Sequence, residues 1–101
     1  MNWEEINEEQ LQMVEAMGAT GFTPAEIAEV LEVDQHEMEM EFVNPVRRSN
    51  SEIYRRYRKG YLQAQLELRQ RIMKDAKHGS SPAQTLMKKI FDDVDHRLNQ
   101  L

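Results

Sequence analysis

The chain has 101 residues, 40% apolar and 31% charged, with 4 Gly, 3 Pro and no Cys; this is a small helix-leaning globule, not a disordered, collagenous or disulfide-stapled chain. Without cysteine there are no disulfides, thiol nucleophiles or thiolate metal sites, and no apolar run nears the roughly 20 residues of a membrane span. The net charge of -5 hides a split: residues 1–46 hold 12 Asp and Glu and no Lys or Arg, while residues 47–101 hold 13 basic and 6 acidic residues.

The start MNWEEINEEQ lacks the basic and apolar regions of a secretory signal, so the expectation is a soluble, intracellular protein with no membrane partner. Ile6, Leu11, Met13, Val14 and Met17 fall mostly at helical spacing and predict a first helix over about 5–17, closed by Gly18. Thr23 reads as the cap of a second helix, with Pro24 at its first position and Glu26 completing a capping box. That helix carries Ile27, Ala28, Val30 and Leu31 and stops near Glu32-Val33. Asp34 caps the next segment, where residues 36–43 alternate polar and apolar as a half-buried strand would. A helix over about 35–42 is favoured, because the residues tolerate helix and no second strand is evident to pair with it.

Asn44-Pro45 breaks that helix, and residues 46–50 read as a basic linker. From Ser51, Ile53, Tyr57, Tyr61, Ala64, Leu68 and Ile72 recur at steps of three or four, predicting a helix of about 26 residues that Gly60 weakens locally. His78-Gly79-Ser80-Ser81-Pro82 supplies a glycine stop, a serine cap and a proline start. The last helix then presents Ala83, Leu86, Met87, Ile90, Phe91, Val94 and Leu98 as one apolar stripe and should fold back on the long one. The expected fold is all-α: five helices, with a three-helix helix-turn-helix unit over 1–46 followed by a basic linker and long helical hairpin over 47–101. The length of the hairpin points to self-association through Tyr57, Tyr61, Ala64, Leu68, Ile72, Leu86, Ile90, Phe91 and Val94.

Residues 24–43 match helix-turn-helix spacing, with a predicted core of Ile27, Ala28, Leu31, Val33, Met38 and Phe42. The usual turn glycine is replaced by Glu32, which is costly at positive φ, so a longer or distorted turn is expected. The second helix of the motif carries Asp34, Glu37, Glu39 and Glu41 and no cation. DNA-reading helices gain affinity from Lys and Arg that displace counterions, so this one would be repelled. A scaffold or protein-binding role is the stronger reading of that unit. Arg47, Arg48, Arg55, Arg56, Arg58 and Lys59, interleaved with Tyr54, Tyr57 and Tyr61, are the candidate nucleic-acid surface. An alternative of equal weight pairs these cations with the acidic half and places the tyrosines in the core.

An enzyme finds little support. His36, His78 and His96 are scattered, Asp92, Asp93 and Asp95 lie on one solvated face, and no glycine-rich phosphate loop is present. His36 with Glu39 or Met40 gives too few metal ligands. No catalytic residue, metal or cofactor is therefore expected, and Met13, Met17, Met38 and Met40 read as core filler or a pliable interface.

The segment FTPAEIAEVLEV followed by SEIYRRYRKGYLQAQLELRQRIMKDAKHGSSPAQTLM resembles small phage or prophage proteins of the terminase small-subunit type. Tyr57, Gly60, Ala64, Leu68, Ala76, Gly79 and Ala83 carry the resemblance, which spans about residues 22–91. It implies a non-enzymatic DNA-packaging adaptor in the cytoplasm of a bacterial host or phage-infected cell. Such an adaptor is a homo-oligomer that binds viral DNA through its helix-turn-helix, residues 23–42 here, and passes it to a terminase large subunit. The residues themselves leave a second function open: a protein-interaction or assembly module whose helix-turn-helix does not bind nucleic acid.

Overall fold

The computed structural model describes residues 6–101. Over them the chain forms six helices and no strand: α1 (Glu8–Thr20), α2 (Pro24–Leu31), α3 (Gln35–Val43), α4 (Pro45–Ser49), α5 (Glu52–Lys77) and α6 (Ser81–Leu98). Two compact units divide the chain, the first ending at Ala64 and the second running Gln65–Leu101. Their boundary lies inside α5.

Helix α1 ends later than its apolar spacing predicts. Asn7 caps it through a reciprocal box with Gln10, and Gly21, at φ 84°, closes it by way of the Phe22 amide donating to the Met17 carbonyl at 3.0 Å. The expected start at residue 5 lies outside the described residues. Gly18 is not the stop but a buried interior position, where a Cβ would overlap the Tyr57 carbonyl. Gly60 mirrors it from α5, since a Cβ there would overlap the Glu15 carbonyl and lie 3.2 Å from the Ala19 amide. Two helix-weakening residues thus let the backbones of α1 and α5 touch.

Thr23 and Glu26 form the predicted capping box at α2. Glu32 then takes the left-handed conformation itself, at φ 56° and ψ 47°. Of the two expected outcomes, a longer turn or a distorted one, the turn takes the second and stays tight: the Val33 amide donates to the Ala28 carbonyl at 3.0 Å, closing the helix end, and Val33 packs on the core. A non-glycine residue there costs roughly 1–2 kcal/mol, which that closure offsets.

The alternating segment is helical, capped by Asp34 accepting from the Glu37 amide at 2.9 Å. Residues 45–49 are not a linker but a short helix, α4, in addition to the five expected. Asn44 accepts from the amides of Val46 and Arg47, both at 3.1 Å, and Pro45 occupies the first position, so the pair that ends α3 also starts α4.

Val14, Ile27 and Met38 are fully buried at the centre of the first unit, with Met17, Ala28, Leu31 and Ile53 around them and Leu11, Phe22, Val33, Phe42 and Tyr57 packed on the outside. The second unit has far less interior. Only Ala83 and Met87 among its large or small apolar side chains are buried, while Leu66, Leu68, Leu86, Phe91 and Leu98 stand 47–57% exposed. Ser80 caps α6, accepting from the Ala83 amide at 3.3 Å, after a turn in which Gly79 has φ 94°. The Gln84 side chain donates to the Ala76 carbonyl at 3.0 Å across that turn.

Candidate functional site

Three of the six candidate nucleic-acid cations are engaged by carboxylates of the acidic half. Arg56, at the N-terminal end of α5, grips Glu8 with both terminal nitrogens (2.8 and 3.1 Å) and Glu15 with Nε (3.3 Å). Lys59 Nζ adds a 3.5 Å ion pair to the same Glu15 oxygen. The hydrogen bond from Arg56 holds the Glu8 carboxyl below its ordinary range, and Arg56 is raised in return, chiefly by Glu8.

Arg47 forms the second clasp. Its Nε donates to Glu41 Oε2 at 2.9 Å, and Nη2 donates to Glu37 Oε2 at 3.0 Å and less closely to the Glu37 carbonyl. Desolvation works against the Arg47 charge, but the hydrogen bonds to Glu37 and Glu41 outweigh it and its pKa is raised. Glu41 is buried, and its other oxygen accepts from Ser51 Oγ at 3.1 Å. Ser51, also buried, accepts in turn from the Tyr54 amide at 3.1 Å and so caps α5. One carboxylate therefore joins α3, α4 and the start of α5. By sequence Glu41 counts among the charges that would repel phosphate; the signal for its buried role is its place three residues after Met38, on the same helical face.

The remaining cations lie differently. Arg55 makes an exposed 2.6 Å pair with Glu52 on its own helix. Arg48 stacks 5.7 Å from the Tyr54 ring centre and Arg58 5.2 Å from that of Tyr61. Among the described residues neither Arg48 nor Arg58 has an ion pair. Tyr54 and Tyr57 meet Phe42 edge-to-face at 5.7 and 5.0 Å, and the Tyr57 hydroxyl donates to the Phe22 carbonyl at 2.6 Å. Tyr57 thus belongs to the interior of the first unit, whereas Tyr61 is exposed.

Of the predicted self-association residues, Tyr57, Tyr61 and Ala64 lie in the first unit. In the second, Leu68, Leu86 and Phe91 are exposed and Ile72, Ile90 and Val94 half-buried. Met73, Met87, Ile90, Phe91 and Val94 line an apolar groove of about 410 Å³, with Arg69 and Gln70 at its margin. All six predicted helix-turn-helix core residues, Ile27, Ala28, Leu31, Val33, Met38 and Phe42, sit in or against the core of the first unit. Among the described residues no group of three or more His, Asp or Glu is placed to hold a metal ion, and no helix is long and apolar enough to cross a membrane. No family model, curated protein or solved structure matches the chain.

Proposed function

We propose that the protein is a non-enzymatic adaptor that acts as a homo-oligomer, in the DNA-packaging role its resemblance to terminase small subunits implies. The observation that carries the self-association is the thin interior of the second unit, two buried apolar residues against five large apolar side chains about half exposed. A unit with so little core gains most by covering that surface with a partner. In this reading residues 23–43 form a helix-turn-helix used for architecture, residues 65–98 form the self-associating hairpin, and DNA meets Arg48, Arg55 and Arg58. The terminase large subunit would be the protein partner.

A second reading, an assembly module that does not bind nucleic acid, is favoured by one observation: Arg47, Arg56 and Lys59 are occupied by carboxylates. Two measurements decide. Light scattering at low and high salt should give a discrete oligomer; a monomer at every concentration would refute the adaptor. Mobility shift with Arg48→Glu/Arg58→Glu should then show weaker DNA binding than wild type, and no binding by either protein would leave the second reading standing.

A further inference from the structure

Helix α6 bears two parallel rows. The inner row, Ala83, Met87, Ile90 and Val94, is buried or half-buried. Beside it, at alternating steps of four and three, run Gln84, Lys88, Phe91, Asp95 and Leu98, all exposed. This spacing is that of a two-helix seam. At its middle Phe91, 52% exposed, borders the apolar groove with Met73, Met87, Ile90 and Val94. An exposed aromatic beside an open apolar groove is a donor and an acceptor for the same kind of contact, which is the requirement for a self-complementary interface.

The outer row is also polarised. Lys88 lies three residues before Phe91 and Asp95 four after it, and among the described residues neither forms an ion pair. Running a second copy of the row in the opposite direction brings each lysine onto an aspartate. Running it in the same direction sets lysine on lysine and aspartate on aspartate, which is unfavourable.

We propose that a second copy of this chain docks α6 against α6 in antiparallel fashion about a twofold axis beside Phe91, each Phe91 entering the other's groove and each Lys88 meeting Asp95 of the partner subunit. The aromatic insertion supplies affinity, and the exposed charges set direction and register. This inference rests on the homo-oligomer reading and names its interface.

Sedimentation of the full chain over a concentration series tests it, with circular dichroism confirming helix content. Phe91→Glu should raise the concentration needed for association at least tenfold. Lys88→Asp and Asp95→Lys, each at an exposed position, should each weaken association severalfold when alone. Combining both in one chain should restore it to within about twofold of wild type, and so should mixing the two single variants, because each then faces its opposite charge. A purely structural role in the monomer would give no recovery on mixing. If wild type associates and all of these variants associate equally well, this interface is wrong and the homo-oligomer reading survives; if wild type never associates, both fall.

Discussion

Gly60 shows how one residue's cost can be a fold's requirement. In an open helix Gly→Ala would gain about 1 kcal/mol, yet here the added carbon meets the Glu15 carbonyl. Gly60→Ala should therefore destabilise the protein by roughly 2 kcal/mol in urea unfolding, the scale of an overpacked core. Glu32 is the reverse case, a side chain where glycine is preferred. Glu32→Gly should raise stability by about 1 kcal/mol while leaving the circular dichroism unchanged. The cost of Glu32 was legible, since the spacing places it at the turn. The role of Gly18 was not: a glycine after an apolar run looks the same whether it ends a helix or admits a second backbone.

At the scale of elements, caps and periodicity were the readable signals. Thr23, Asp34 and Ser80 each accept an amide at the helix start they announce. Asn44-Pro45 was ambiguous because a breaker and a starter share the same residues, and α4 is too short to show an apolar period. The Glu41 junction was hidden for another reason: its partners, Arg47 and Ser51, lie on other elements, and their meeting depends on how α3, α4 and α5 pack. Glu41→Ala leaves the buried Ser51 hydroxyl without its acceptor and should lower stability by about 2 kcal/mol. Glu41→Gln, which keeps an acceptor, should recover part of that loss in the same unfolding assay.

For the whole molecule, the sign split along the chain finds its physical expression within the first unit, where Arg47, Arg56 and Lys59 cross from the basic half to acidic α1 and α3. Sequence alone left their partners open, because Coulomb attraction favours carboxylates and phosphates alike. The Glu8–Arg56 clasp has a definite pH signature. Glu8 titrates lower in the folded state than in the unfolded one, so its contribution is complete above the ordinary glutamate range and disappears as pH falls through the folded value. Arg56 stays charged throughout and adds no acid dependence. Measured against pH, the stability gap between wild type and Glu8→Gln should be widest near neutrality and should close on the acid side.

The contact between Gly18 and Tyr57 also bears on the order in which the chain acquires structure. Helices α2 and α3 are neighbours joined by a short turn, whereas the crossing of α1 with α5 must wait for a segment some forty residues downstream. Stopped-flow chevrons should accordingly show Ala28→Gly slowing refolding, and Gly18→Ala acting mainly on the unfolding limb, as expected when that crossing is sealed after the rate-limiting barrier.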